Sequence, residues 1–269
     1  MKYLLALILL FSLASSVVPA ARAQSIHARP VDCVVVLHGL GLSPRQMLGI
    51  TQTLSLNGYR VFNIGYPSTH YPVDTLAEKF VFPNIPACPG QMNFVGHSLG
   101  GLIIRDILKH HPMANLGRVV MLGSPNEGSE LADFLLRTPG FSWLYKRTFG
   151  PAGDEMITGP KTFGATLPPV PYEVGVIAGD RHLEPISSNF ILSQPNDGIV
   201  SAASTKVPGM TDFIELPVTH LSILSDPAVL QEIVTFLQTG HFLPSASKTV
   251  LTGATAAPVA SAAAPGLRQ

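Results

Sequence analysis

Apolar residues recur along this chain in two rhythms. Val31-Asp32-Cys33-Val34-Val35-Val36-Leu37 and Asn93-Phe94-Val95 are short β-branched or aromatic runs, the pattern of strands buried on both faces of a parallel sheet. Between such runs lie stretches of helical length: Arg45 to Leu56, stopped by Asn57-Gly58; Val73 to Phe80; the segment after Ser98; and Pro227 to Leu237. Further strands are predicted at Tyr59–Ile64, Arg118–Leu122, Tyr172–Ala178 and Asp212–Leu216. Strands separated by helices predict an α/β fold with a doubly wound, mainly parallel sheet. Residues 131–170 break the alternation: the segment is too long and too apolar for a simple crossover, with Phe134, Phe141, Trp143, Tyr145 and Phe149 in a chain that is 7% aromatic. It predicts a small cap insertion. From Leu243 to Gln269, Ala, Pro, Ser and Thr dominate without period, which predicts a disordered tail.

The amino terminus reads as a cleavable export signal, residues 1–23. Lys2 precedes an apolar run from Leu4 to Val18, and Ala21-Arg22-Ala23 offers the small-x-small pattern at which such signals are cut. The rival reading, a membrane anchor, needs roughly 20 apolar residues, and this run is shorter. The remaining chain is about 250 residues, a size one domain fills, expected to run from 24 to 242 and to be released into the periplasm or beyond. Lys plus Arg total 17 and Asp plus Glu 17. Losing Lys2 and Arg22 leaves a slightly acidic chain, with nothing to steer nucleic acid. Cys33 and Cys88 are the only cysteines. In an oxidising compartment such a pair usually closes, the alternative being two free buried thiols. Two thiols without neighbouring histidines do not make a metal ligand set, and no metal or other cofactor is expected.

The chemistry centres on Gly96-His97-Ser98-Leu99-Gly100-Gly101, which joins an apolar strand to a helix. A Gly-x-Ser-x-Gly turn in that context lifts a serine hydroxyl into the open, and glycines at 96 and 100 let strand and helix approach closely. Ser98 is therefore the expected nucleophile. It needs a base and an acid to hold that base, following it in the order acid, then histidine. His220, between the last strand and the last helix, is chosen over His182 and His241. Asp197, in the turn Asn196-Asp197-Gly198, is preferred as acid because its loop can return toward His220, with Asp180 as rival. Backbone N–H groups of Leu99 and Leu40 are the expected donors to an oxyanion. His38 is read as shaping the loop after the first strand, and His97 as a packed neighbour. His110 and His111 close a helix before Pro112, where positive charge suits the helix dipole.

With His38-Gly39, the Ser98 turn and Asp197-Gly198-Ile199-Val200 in this order, and Gly123-Ser124-Pro125-Asn126-Glu127-Gly128-Ser129 between the last two, the chain resembles the α/β-hydrolases, and among them bacterial secreted lipases and esterases, over roughly Val31 to Leu237. Asn126 departs from the pattern, standing where a histidine is common, and no acidic cluster marks the calcium site some secreted lipases have. The resemblance implies hydrolysis of a small-molecule or lipid carboxylic ester through an acyl-serine intermediate, with Trp143 and the other cap aromatics lining the acyl pocket or, alternatively, packed on the scaffold. It leaves room for transient lipid-interface contact through the cap, and for acyl transfer to an alcohol instead of water. A non-catalytic binding protein would be expected to have lost a triad member or an elbow glycine, and neither is missing. In such a fold the strand before His38 lies beside the strand before Ser98, so Cys33 and Cys88 sit at neighbouring strand ends and a disulfide between them is expected.

Overall fold

The computed structural model describes residues 30–160, 162–182 and 190–244. The expected export signal lies outside the described residues, as does the tail beyond Pro244.

Six strands form one sheet in the order β2-β1-β3-β4-β5-β6, every neighbouring pair parallel. They are β1 (Cys33–Leu37), β2 (Arg60–Ile64), β3 (Met92–His97), β4 (Leu116–Leu122), β5 (Val174–Gly179) and β6 (Asp212–Leu216). The chain enters at β1, crosses outward to β2, then returns past β1 to β3 and continues to the far edge. This reversal opens a crevice at the carboxyl ends of β1 and β3, the place where open α/β sheets bind ligands. Their register pairs Leu37 with Gly96, so the segments after both strands leave the sheet side by side.

The continuous apolar runs are explained by two-sided burial. Side chains alternate between faces along a strand. Val35 and Leu37 join a core with Phe94, Ile103, Met121 and Val176, under α3 (Leu99–His110). Val34 and Val36 face the other way, packing with Ile50, Val95, Ile177 and Phe236 beneath α1 (Leu48–Leu56) and the last helix, Pro227–Thr239. The strand bounds shift by one or two residues from the sequence reading. Val31, for example, falls outside β1 because it is half exposed beyond the two-sided core.

The predicted helix 73–80 differs in kind. It is one turn of α2 (Val73–Thr75), a π-helical turn over Leu76–Val81 and a 3-10 turn at Phe82–Asn84. Pro83 has no N–H to extend a regular ladder there. Between β4 and β5 lie α4 (Glu130–Arg137), α5 (Phe141–Asp154) and the short α6 (Phe163–Thr166), with α5 broken at Gly150-Pro151. The final helix is α7. Cys33 and Cys88 are joined by a disulfide, with Cα atoms 6.0 Å apart. No helix among the described residues is long and apolar enough to cross a membrane.

Candidate active site

Ser98 stands between β3 and α3 with φ 52° and ψ −121°, the one non-glycine residue at positive φ among those described. A serine held in so unfavourable a conformation signals a turn over-determined by its surroundings. Those surroundings are tight: a Cβ on Gly96 would fall 2.6 Å from Gly101 N, so no side chain fits where strand and helix cross. Leu99 is the first residue of α3, where backbone N–H groups lack helical acceptors and the dipole favours negative charge.

Asp197 and His220 meet. The His220 Nδ1–H donates to Asp197 Oδ2 at 2.6 Å, with the Asp197 side chain fully buried. The other carboxylate oxygen accepts backbone N–H groups from Ile199 (2.9 Å) and Val200 (2.8 Å), so the turn at Asn196-Asp197-Gly198 also aims this carboxylate. The backbone repeats the pairing, His220 N–H donating to Asp197 O at 2.9 Å. Asp180 lies elsewhere, exposed just beyond β5, and His241 is a surface residue 3.8 Å from Asp212.

His97 is more than a neighbour in the packing. Its Nε2 lies 2.9 Å from the His220 carbonyl oxygen and must donate to it, while the Nδ1 lone pair is buried without a partner. Burial, the adjacent His220 and His38 hold its pKa well below the usual imidazole value, so the ring is neutral. His38 stacks on Tyr66 at 4.2 Å, and Tyr66 Oη donates to the His38 carbonyl oxygen. Gly41 N–H donates to Ser68 Oγ at 3.0 Å and Leu42 N–H to Gly39 O at 3.2 Å, which fixes the loop carrying Leu40.

Ser98, His97, His220 and Leu40 border one cavity of about 230 Å³. Its walls are otherwise almost wholly apolar: Leu131, Ala132 and Leu135 from α4, Tyr145 and Phe149 from α5, and Met156. Trp143 is not among them. It is 68% exposed, with the Arg147 guanidinium 5.7 Å from its ring centroid. At about 100° per residue, Tyr145 and Phe149 share one face of α5 and Trp143 lies on the other. A larger cleft of about 610 Å³, bordered by Arg105, Glu127, Glu130 and Lys206, does not reach Ser98.

Sequence reasoning assigned no structural task to Gly123, Asn126 or Arg105. Gly123, at φ 53°, lies just after β4 against Asp197 and His220; a Cβ there would sit 2.9 Å from Asp197 Oδ2 and 3.2 Å from His220 Nδ1. The Gly-Ser-Pro segment was the available signal. Arg105, buried on α3, donates to Asn126 Oδ1 (2.8 Å) and to the carbonyls of Gly164 (3.0 Å) and Leu167 (3.2 Å). That bond gives Asn126 its task, anchoring the segment after β4, and no local pattern announces it.

The sheet order, the crevice and the strained serine turn define an α/β-hydrolase fold. Solved structures agree. The chain is similar to the lipase BlEst2 of Bacillus licheniformis in its mature form at 21% identity and a TM-score of 0.58, over 80% of this chain and 93% of that one. It is similar to a metagenomic carboxyl esterase, MGS0156, at 15% identity and TM-score 0.57, over 79% and 75%. Phospholipase PlaB from Legionella pneumophila gives 16% and 0.56, over 82% of this chain and 61% of that one. No family model matches the chain, and no curated protein does.

Proposed function

We propose that the protein is an exported serine hydrolase that cleaves carboxylic esters of uncharged aliphatic acids. The observation that carries this reading is that His220, held by Asp197, borders the same apolar cavity as the strained Ser98. In this reading Ser98 Oγ attacks the ester carbonyl carbon and passes its proton to His220 Nε2. Asp197 holds the imidazole by Nδ1 and stabilises its positive charge. The carbonyl oxygen, now negative, is met by the N–H groups of Leu99 and Leu40. When the tetrahedral centre collapses, the alcohol leaves with the proton from His220, and the acyl group stays on Ser98. Water then gives its proton to His220 and attacks the acyl carbon, releasing the acid and restoring Ser98.

The acyl chain lies between α4 and α5, so residues 131–170 act as the cap. A wall of Leu131, Leu135, Phe149 and Met156 offers no cation to a charged acyl group. Phe141, Trp143 and Leu144, exposed on α5, support a transient contact of the cap with a lipid interface. The disulfide supports export to an oxidising compartment.

The test is a panel of p-nitrophenyl esters from acetyl to palmitoyl, with a fluorophosphonate as active-site label. The protein should hydrolyse esters and be labelled on Ser98, and Ser98→Ala should abolish labelling and lower kcat by roughly 10⁴-fold or more. Unchanged hydrolysis by the folded Ser98→Ala protein overturns the reading. A product shift from acid to transferred ester when an acceptor alcohol is added identifies an acyltransferase.

A further inference from the structure

At the far end of α3 from Ser98 a second group of reactive side chains comes together. Asp106 and His110 are one helical turn apart and project on the same side, His110 Nδ1 lying 3.5 Å from Asp106 Oδ1. The π-helical turn Leu76–Val81 packs on α3 and brings Glu78 there, its Oε1 4.0 Å from His110 Nδ1. One potential ligand atom from each of the three lies within 4.8 Å of the other two. His111 holds Glu78 from the opposite side: its Nε2 is 3.0 and 2.9 Å from the two carboxylate oxygens, and its ring is stacked on Phe82 at 3.6 Å.

Asp106 is the unusual member. Its side chain is 3% exposed, yet Oδ2 is buried with no hydrogen-bond partner. Burial disfavours its charge, which His110 and Lys109 offset and Glu78 and Asp74 aggravate. Glu155, half-buried and itself hydrogen-bonded to Val73 N–H at 2.7 Å, adds another carboxylate nearby. Carboxylates thus outnumber cations around a buried anion with a free lone pair, an arrangement that a bound cation satisfies.

We propose that Glu78, Asp106 and His110 form a binding site for a divalent cation of the zinc type. One imidazole with two carboxylates suits Zn²⁺ better than Ca²⁺ or Mg²⁺, which take oxygen ligands. In the metal-free protein His110 Nδ1 donates to the Asp106 backbone carbonyl at 3.0 Å, and the ion replaces that proton. Glu78 and His110 are 40% and 46% exposed, which leaves an entry path and room for water as the remaining ligand. His111 is a positioning residue, orienting Glu78. With about 1.5 Å of rise per residue, the length of α3 separates this site from Ser98, so the ion clips the end of α3 to the π-helical turn and takes no part in ester chemistry.

The test uses tag-free, metal-stripped protein titrated with Zn²⁺ by calorimetry, with thermal unfolding in parallel. Wild type should take up one Zn²⁺ per chain and gain in Tm. Glu78→Gln and His110→Gln, neither of them a fully buried position, should each weaken binding by about 10-fold or more and leave ester hydrolysis unchanged. The proposal is overturned if wild type takes up no Zn²⁺, if the double variant binds as wild type does, or if Ca²⁺ binds more tightly than Zn²⁺.

Discussion

His220 is fixed at three points: its ring by Asp197, its N–H by the Asp197 carbonyl and its own carbonyl by His97. The first two come from the proposed acid itself, and the third from a residue adjacent to Ser98. His97 therefore ties the base to the serine turn through backbone geometry, as a positioning residue. Replacing it by alanine leaves a buried carbonyl unpaired, a loss of about 1–3 kcal/mol. In His97→Ala, kcat should fall roughly 10- to 100-fold with KM little changed, a drop of the size such an energy predicts. His97→Gln, whose amide N–H reaches about as far as Nε2, should recover part of it. Because burial keeps His97 neutral, the acid limb of the kcat–pH profile should stay in place in the glutamine variant. A limb that moves with residue 97 would make His97 a proton carrier and not a brace.

At the scale of elements, α4 and α5 set the depth of the cavity. Leu131, Ala132 and Leu135 face inward from α4, and Tyr145 and Phe149 stack against each other at 4.9 Å on the inner face of α5. A larger side chain at 135 occupies space that a long acyl chain needs. Leu135→Phe should lower kcat/KM for octanoyl relative to acetyl esters by about 10-fold, since each methylene excluded from an apolar pocket is worth roughly 1–3 kcal/mol. Trp143→Ala, on the outer face, should keep the wild-type chain-length profile in monomeric ester solution. The same panel checks both, and a changed profile in Trp143→Ala would mean that α5 turns its other face to the substrate.

For the whole molecule, the disulfide joins the start of β1 to the segment leading into β3, closing a loop of 55 residues. Both strands end at the site, Leu37 beside Gly96, so the link holds together the two strands that carry the Leu40 loop and the Ser98 turn. Loop closure of that length restricts the unfolded chain by about 4 kcal/mol in the chain-entropy account. The Cys33→Ala/Cys88→Ala protein should melt roughly 10 °C below the oxidised wild type, and reduced wild type should approach it. Equal melting temperatures of oxidised and doubly substituted protein would remove the disulfide from the stability of the fold.

The local pattern by itself determined the fold class and the serine. Val34-Val35-Val36 can be buried only on both faces, and Gly96 and Gly100 around Ser98 permit one tight strand-to-helix turn; both are short-range facts written within a few residues. Asp197 and His220 were legible as types in the right order, because a polar turn and a histidine after the last strand are local features too. That His220 meets Asp197, and not Asp180, was decided by tertiary structure, since it depends on how two loops 23 residues apart fold back on each other. The same holds for Trp143, whose aromatic neighbours in sequence lie on the opposite side of their helix, and for Gly123, Arg105 and Asn126, whose partners come from distant segments. His110 shows the contrast most plainly. The sequence gives it a helix end, and only packing brings Glu78, more than thirty residues upstream, to its side, because proximity between side chains is set by the sheet and the helices it orients and not by their spacing along the chain.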